Sequence, residues 1–350
     1  MFYRVGWHAR LAHKLLRLDS TRLAVLSRMA ELPALHPESI ALLERLKDEK
    51  MKPLVEVTPA EARRQREMFA KKYSTPVVDF EGTTRNVSIC ISDRKLPVRI
   101  YQPVSYPSSV RPALLVYFHG GGWTVGSIET HHSACASLAQ LSSSAVASVG
   151  YRLAPEHKFP AAVEDALASV EWFADGNNRR LVGLPEDMNV GVGGDSGGGR
   201  LAAVVAHELH GKCRISFQVL IYPGVDATDS TDSHKRYENG PILTKETIAK
   251  FRSYFATEQC HTTNPRLSPI LYKTFEEQPP CVLIIAECDP YHDESLAYGK
   301  RLEDAGVKVK VLILPGLIHA FFSNPGICKE SCRTAYSFIA EFLKEHEQRV

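Results

Sequence analysis

A regular alternation of short apolar runs with helical patterns constrains the fold of this 350-residue chain more than any other feature. Residues 113–118 and 145–149 are apolar almost throughout, which is typical of parallel strands buried on both faces of a sheet. Similar runs follow at 188–192, 217–222, 281–286 and 309–314. Helical patterns such as 161–174 and 200–210 lie between the runs. Strands that alternate with helices predict an α/β fold, a mostly parallel sheet with helices on both faces.

Two further strands are predicted before this series, at 86–91 and 96–103. Their polar and apolar residues alternate, as in a hairpin that faces water on one side. The sheet is therefore predicted to have eight strands, of which the first two are antiparallel. Residues 225–280 break the alternation and are too long for an ordinary connection, so we predict an insertion over the sheet there.

A serine stands among glycines at the junction of a predicted strand and a predicted helix. The string GDSGG at 194–198 fits both chymotrypsin-like proteases and the G-x-S-x-G pattern of α/β-hydrolases. A chymotrypsin-like protease is a pair of β-barrels with its serine late in the chain, whereas helices run through this whole sequence. The context therefore favours a strand–turn–helix in which strained backbone exposes Ser196 as a nucleophile.

A serine nucleophile needs a histidine that accepts its proton and an acid that orients the histidine. In α/β-hydrolases both follow the serine, the acid first. His319 comes just after the last predicted strand, at the carboxyl end where active sites of open α/β sheets gather. Asp289 follows the preceding strand and is the first choice for the acid. The competing acids are Glu287, Asp293 and Glu294, and His292 is a competing base.

Three glycines follow His119 at the end of the run 113–118. Adjacent glycines after a strand leave their amide N–H groups unshielded. The amides of Gly120 and Gly121, with that of Gly197, are predicted to form an oxyanion hole. A nucleotide-binding loop is disfavoured because neither G-x-G-x-x-G nor G-x-x-x-x-G-K-[ST] occurs here. We expect His119 to fix the loop by hydrogen bonding rather than to act as a base.

Five stretches, in this order and spacing, resemble the hormone-sensitive-lipase-like carboxylesterases. They are HGGGW, YRLAPEHKFPAAVEDA, GGDSGGG, DPYHDE and GLIHAF. The match covers roughly residues 75–345. The resemblance implies an α/β-hydrolase fold with an eight-stranded sheet and a helical cap. It also implies Ser196 as nucleophile, Asp289 as acid and His319 as base.

The same resemblance implies a division into a core and a cap. The N-terminal helices of residues 1–75 and the insertion 225–280 are expected to form the cap. The hydrolase core is expected in two parts, 76–224 and 281–350.

Two positions depart from the family pattern. The family has alanine where this chain has Gly197, and asparagine where it has Arg200. Gly197 still supplies an amide, although the turn around it can be looser. The charge of Arg200 needs a partner that the sequence does not identify. In the YRLAP stretch, the charged residues are predicted to tie the loop to the sheet; they are Arg152, Glu156 and Asp165.

These features predict a carboxylesterase that hydrolyses uncharged esters with short to medium acyl chains through an acyl-enzyme. No metal or organic cofactor is expected. The alternatives are an amidase, deacetylase or lipase with the same triad, or a non-catalytic small-molecule receptor. The gibberellin receptors of plants resemble this family but lack the histidine. A net charge of +2 does not suggest nucleic-acid binding, so a small-molecule ester is the expected partner, and a homodimer is left open.

The sequence also predicts where the chain resides. It has no run of 18 apolar residues and no secretory signal pattern, so no membrane span is expected. Eight scattered cysteines are typical of buried free thiols in a reducing compartment, which favours the cytoplasm. Residues 1–30 predict a basic amphipathic helix. This helix could pack on the protein, contact a membrane surface, or direct the chain to an organelle.

Overall fold

The structure, a computed structural model, describes residues 33–91, 94–106, 111–257 and 262–345. Leu35–Val350 form one compact unit. The predicted basic helix of residues 1–30 lies outside the described residues. In the described ranges, none of the helices combines the length and the apolar character that crossing a membrane requires.

Eight strands of the described residues form one sheet, in the order β1-β2-β4-β3-β5-β6-β7-β8. The strands are β1 Thr83–Ile91, β2 Arg94–Gln102, β3 Ala113–Phe118, β4 Ala145–Val149, β5 Asn189–Asp195, β6 Gln218–Ile221, β7 Cys281–Cys288 and β8 Val309–Ile318. β2 is antiparallel to both β1 and β4, and every other pair is parallel. The predicted α/β fold, with a mostly parallel sheet of eight strands, is confirmed.

Ten α-helices are described around this sheet. They are α1 Pro37–Asp48, α2 Pro59–Tyr73, α3 His132–Ser142, α4 Ala161–Ala174, α5 Gly176–Leu181, α6 Gly197–Glu208, α7 Asp232–Arg236, α8 Lys245–Phe255, α9 His292–Asp304 and α10 Lys329–Glu345. α2 begins where Thr58 caps it, because the Thr58 hydroxyl accepts the N–H of Glu61 at 3.2 Å.

The strand β5 extends three residues beyond the apolar run that predicted it, through Gly193 and Gly194 to Asp195. A search for apolar runs does not detect these glycines, but the packing of β5 against β3 requires them. A Cβ on Gly194 would overlap the carbonyl oxygen of Phe118 in β3. The central strands therefore approach too closely for a hydrophobic side chain at the end of β5.

The predicted insertion carries α7, α8 and a 3₁₀ turn at Pro269–Leu271. α8 contacts a second 3₁₀ turn, Leu54–Glu56, between α1 and α2. Chain segments before the sheet and inside the insertion therefore meet over one end of the strands.

A buried carboxylate ties the loop after β4 to the sheet. Asp165 of α4 is fully buried and binds Arg94 of β2 at 2.6 Å and Arg152 of the loop at 2.9 Å. The predicted tie between Arg152 and Asp165 is confirmed. Glu156 has a different partner, since its carboxylate binds Arg63 of α2 at 2.6 Å.

The cysteines of the described residues are free thiols. Five are buried, as predicted: Cys135, Cys281, Cys288, Cys328 and Cys332. The prediction is wrong for Cys90, which is exposed because it lies on the outward face of β1. Cys213 is partly exposed, and Cys260 lies outside the described residues.

Candidate active site

Ser196 occupies a sharp turn between β5 and α6. Its backbone has φ 54° and ψ −120°, a conformation that is strained for a residue with a side chain. The Ser196 N–H donates to the carbonyl of Ile221 at the end of β6, at 2.9 Å. A Cβ on Gly198 would overlap the carbonyl oxygen of Phe118, so the helix can leave the turn only with glycine at the second position after the serine. The turn holds the hydroxyl of Ser196 beyond the carboxyl end of the central strands.

Three predicted side chains meet at this end of the sheet. The Nε2 atom of His319 lies 2.8 Å from Ser196 Oγ, and its Nδ1 atom lies 2.6 Å from Asp289 Oδ2. His319 follows β8 and Asp289 follows β7, so the parallel strands bring both residues to the same edge. Asp289 is fully buried, and 6% of His319 is exposed. The structure thus joins the three residues in one chain of hydrogen bonds.

Neighbouring groups hold His319 and Asp289 in place. The second oxygen of Asp289 accepts the backbone N–H of Tyr291 at 2.9 Å. The His319 ring lies 4.6 Å from the ring of Tyr222 and 5.4 Å from that of Tyr291, between centroids. These contacts fix the orientation of the imidazole, which an isolated pair of hydrogen bonds would not.

The competing acids of the sequence analysis serve other partners. Glu287 accepts the N–H of Gly316 at 2.7 Å. Asp293 accepts the N–H of Ser233 at 2.7 Å and binds His292 at 2.9 Å. Glu294 lies 2.7 Å from Nε2 of the buried His234. None of these acids is the hydrogen-bond partner of His319, so Asp289 is the one acid that orients it among the described residues.

The structure corrects one of the three predicted oxyanion donors. The N–H of Gly120 donates to Asp195 Oδ1 at 2.8 Å and is therefore not available to a substrate. The N–H groups of Gly121, Gly122 and Gly197 donate to no atom of the described residues, and all three glycines line one cavity with Ser196. The Cα of Gly122 lies 3.4 Å from the place where a Cβ on Gly197 would stand. Gly122, which the sequence analysis did not select, replaces Gly120 as a candidate donor.

The surroundings of Asp195 explain why it holds the N–H of Gly120. Its carboxylate is buried and also accepts the hydroxyl of Tyr117 at 2.7 Å, while His131 Nε2 lies 3.2 Å from it. Burial alone would raise the pKa of Asp195, but His131 and these donors outweigh it and lower the pKa to about 2. The motifs of the sequence assign no role to Asp195. A carboxylate in a buried strand must be paired, and that rule was the available signal.

His119 is buried in the same loop and serves the backbone, as predicted. Its Nδ1 atom lies 2.8 Å from the carbonyl oxygen of Gly120, and its ring stacks on Tyr151 with centroids 4.3 Å apart. Burial lowers the pKa of His119 to about 4, so the imidazole is neutral at pH 7. A neutral ring held in this way shapes the loop and does not face Ser196 as a base.

A cavity of about 390 Å³ opens above Ser196 and His319. Its walls are largely apolar and come from two parts of the chain, the segment before the sheet and the insertion. Examples are Leu46 and Leu54 from the first and Leu243 and Phe251 from the second. In the described part of the chain, no group of three or more His, Cys, Asp or Glu side chains could hold a metal ion.

Comparison with known proteins finds a matching protein family and similar chains. Residues 115–323 match a protein family described by the α/β-hydrolase fold. The chain is 36% identical to the ethyl acetate hydrolase of Pseudomonas putida, over 85% of this chain and 93% of that protein. It is 33% identical to an arylesterase of Saccharolobus solfataricus, over 75% of this chain and 84% of that protein.

Solved structures of similar chains agree. An ester hydrolase from the metagenome of Lake Arreo aligns with a TM-score of 0.81 at 33% identity, over 89% of this chain and 99% of that chain. The esterase of Pyrobaculum calidifontis aligns with a TM-score of 0.78 at 35% identity, over 89% of this chain and 98% of that chain.

Proposed function

The chain belongs to the α/β-hydrolase family of carboxylic ester hydrolases, and we propose that it hydrolyses small esters through Ser196, His319 and Asp289. Membership also confirms the resemblance to the hormone-sensitive-lipase-like carboxylesterases. The observation that carries the proposed mechanism is the chain of hydrogen bonds from Ser196 through His319 to buried Asp289, at the base of an apolar cavity.

In this mechanism, Ser196 Oγ attacks the carbonyl carbon of the ester while His319 Nε2 accepts the hydroxyl proton. Asp289 accepts the N–H at Nδ1, which keeps the Nε2 lone pair directed at Ser196 and stabilises the imidazolium that forms. His319 then gives its proton to the leaving alcohol. Water repeats the sequence on the acyl-enzyme, and the free acid leaves.

The amides of Gly121, Gly122 and Gly197 are proposed to stabilise the negative oxygen of the two tetrahedral intermediates. All three lack an acceptor among the described residues, and all three line the cavity beside Ser196. Gly197 is the first residue of α6, so the positive end of the helix adds to the field at that point. Loss of one such donor typically costs 10²- to 10³-fold in kcat.

The size and walls of the cavity support an acyl chain of short to medium length. A cavity of about 390 Å³ is near the lower end of the range for small-molecule sites, about 300–1,000 Å³. The apolar side chains of α1 and α8 suit an uncharged acyl group. Two relatives named for ethyl acetate and aryl esters support the same class. We therefore favour an esterase over a lipase, an amidase or a receptor.

Initial rates on the 4-nitrophenyl esters of acetate, butyrate, octanoate and palmitate test this function. Ser196→Ala is expected to lower kcat by about 10⁴-fold or more, because removal of a triad member leaves little beyond binding and the oxyanion hole. Ser253→Ala is the control, since Ser253 is exposed on α8 and should retain parental rates. Turnover that survives in Ser196→Ala would overturn the assignment, and efficient turnover of palmitate would favour a lipase.

The partners and the location of the protein remain predictions. A small-molecule ester without nucleic acid and a cytoplasmic location are the expectations, and a homodimer is left open. Contact of residues 1–30 with a membrane surface is tested by co-sedimentation with anionic vesicles. The full chain should sediment, a chain without these residues should not, and equal supernatants would end that prediction.

A further inference from the structure

More cationic than anionic side chains line the cavity above Ser196. The cations that line it are Lys47, Lys52, Arg66, Arg200 and Arg252. Among the described residues that line the cavity, Asp195 is the one carboxylate, and its partners His131 and Tyr117 already surround it. An apolar cavity with such an excess of cations has a positive potential, which concentrates anions in it.

Arg200 is the buried member of this set. It lies on α6, one helical turn after Ser196, and 6% of the residue is exposed. The guanidinium lies over the ring of Trp123, 4.9 Å from the centroid, and its Nε atom donates to the carbonyl of Gly224. Its two terminal nitrogens donate to no atom of the described residues. They form a pair of donors at the wall of the cavity.

The charge of Arg200 has no carboxylate within ion-pair distance among the described residues. The nearby Asp229 is bound by Arg252 through both of its oxygens, at 2.6 and 2.7 Å. Glu294 accepts the N–H of Asp226 at 3.0 Å and binds His234. Burial lowers the pKa of Arg200, and Arg252 lowers it further, while Glu294 and Asp229 raise it only from a distance.

A buried guanidinium without a carboxylate partner among the described residues is costly, so its presence beside the proposed nucleophile calls for a ligand. Arg66 of α2 adds to the same imbalance. It lines the cavity, donates to the hydroxyl of Ser323 at 2.7 Å and has no carboxylate partner among the described residues. A planar guanidinium with two adjacent free donors matches the geometry of a carboxylate better than that of any neutral group.

We propose that Arg200 binds a carboxylate of the substrate, so that the preferred substrates are esters that also carry a free carboxylate. This inference rests on the proposed esterase function and narrows it. The apolar walls hold the hydrocarbon part of the substrate, and the terminal nitrogens of Arg200 hold its charged end. The earlier prediction of uncharged esters then describes tolerated substrates rather than preferred ones.

Two pairs of esters of nearly equal shape test the proposal. The first pair is 4-nitrophenyl butyrate and mono-4-nitrophenyl succinate, which differ by a methyl and a carboxylate at the end of the acyl chain. The second is phenyl acetate and 3-acetoxybenzoate, which place the carboxylate on the leaving group. For each enzyme, the ratio of kcat/KM on the charged ester to that on the neutral one is measured.

In Arg200→Gln, one ratio is expected to fall about 10- to 100-fold, mainly through a higher KM for the charged ester. Glutamine can still donate to the Gly224 carbonyl, and Arg200→Lys should lose less because it keeps the charge. Lys212→Gln removes the same charge from an exposed loop outside the cavity and should leave both ratios unchanged. The pair of esters whose ratio falls shows whether the carboxylate lies on the acyl chain or on the leaving group.

Unchanged ratios in Arg200→Gln, or an equal loss on charged and neutral esters, would overturn the proposal and leave Arg200 a structural residue. If the parent hydrolyses no ester, the proposed function fails and the inference is decided by binding instead. Calorimetry of mono-4-nitrophenyl succinate with Ser196→Ala, and with Ser196→Ala plus Arg200→Gln, should give Kd values about 10- to 100-fold apart. Equal Kd values would refute the role of Arg200 independently of turnover.

Discussion

A single carboxylate, that of Asp195, couples the turn that carries Ser196 to the glycine loop after β3. It accepts hydrogen bonds from Gly120 of the loop and from Tyr117 of the strand, and it lies against His131. Because Asp195 directly precedes Ser196, any movement of the loop is transmitted to the nucleophile through one residue. Asp195 thus links the proposed nucleophile to the loop of the proposed oxyanion donors, an arrangement that suits preorganised catalysis.

At Gly121, the loop conformation is open only to glycine. Its φ is 118°, and a Cβ there would overlap the carbonyl oxygen of Val125. We expect Gly121→Ala to displace the donors and lower kcat about 10²- to 10³-fold on 4-nitrophenyl butyrate. Gly211→Ala is the matched control, because Gly211 also has a positive φ of 74° but has no atom within 4 Å of the added Cβ. It should cost about 1 kcal/mol of stability and retain kcat, and a parental kcat in Gly121→Ala would contradict the assignment.

Sequence reasoning named the three side chains that the structure joins by hydrogen bonds, but it chose Gly120, whose amide is already used, as one candidate donor. Ser196, Asp289 and His319 each follow a strand that an apolar pattern identifies, so their convergence could be predicted. The choice among three glycines after His119 depended on which amide was already used. That choice required knowledge of the buried partner Asp195, and no local pattern reports a contact between residues 75 positions apart.

Two adjacent glycines after the turn between β5 and α6 differ in the space that is available for a side chain. A Cβ on Gly197 would stand 3.2 Å from the Trp123 ring, a contact that a small shift of the side chain relieves. A Cβ on Gly198 would overlap backbone atoms of Phe118 and His119. We expect Gly197→Ala to keep kcat/KM within about tenfold and to retain or gain up to about 1 kcal/mol in stability, since alanine favours the helix.

Gly198→Ala should instead lose about 1–3 kcal/mol of stability and most of its activity, because the backbone has to move to accept the methyl group. Urea unfolding and rates on 4-nitrophenyl butyrate measure both variants. Equal stability and equal activity of the two variants would contradict this difference between the two glycines.

Helix α8 of the insertion forms one wall of the cavity. Phe251 lines the cavity, and its ring lies where a Cβ on Gly122 would stand. We expect Phe251→Ala to enlarge the space above the donors and to shift the preference toward longer acyl chains. The ratio of kcat/KM on octanoate to that on butyrate should rise about tenfold, because burial of about two of the four additional methylenes, at about 0.8 kcal/mol each, adds about 1.6 kcal/mol. Tyr254→Ala, on the same helix but outside the cavity lining, is the control and should leave the ratio unchanged.

At the scale of the whole molecule, the sequence predicted six strands because buried parallel strands are apolar along their length, and it predicted the first two from the alternation of polar and apolar residues. It missed the end of β5, where glycine replaces apolar residues to allow close approach of β3. It also ended the last strand at residue 314, whereas β8 continues to Ile318 through Pro315 and Gly316. Proline and glycine are turn signals in isolation, and only the pairing of Cys288 with Ile318 keeps this segment in the sheet.

The buried His119 and the half-buried His207 make stability depend on pH. Burial lowers the pKa of both His119 and His207 to about 4. In the unfolded chain a histidine binds a proton below about pH 6.5, so between about pH 6.5 and 4 the unfolded state binds more protons. The free energy of unfolding therefore falls as pH drops through this range, by about 2 kcal/mol per histidine between pH 7 and 5.

His207→Phe isolates one of these contributions. The His207 ring stacks on Tyr272 with centroids 4.2 Å apart, and phenylalanine preserves that packing without a titrating group. Urea unfolding at pH 7 and pH 5 should show a loss of stability about 1–2 kcal/mol smaller in the variant than in the parent. An identical loss in both proteins would mean that His207 titrates normally in the folded state.

The order of the site along the chain has a practical consequence. The loop of Gly121 and the turn of Ser196 come before the exposed Gly211, and Asp289 and His319 come after it. A polypeptide divided at Gly211 would hold the nucleophile in one half and its proton acceptor in the other. Among the described strands, the two halves would pair only at β5 and β6. Such a pair would be a split reporter. The separate halves would have no esterase activity, and they would hydrolyse a fluorogenic ester once two fused proteins bring them together.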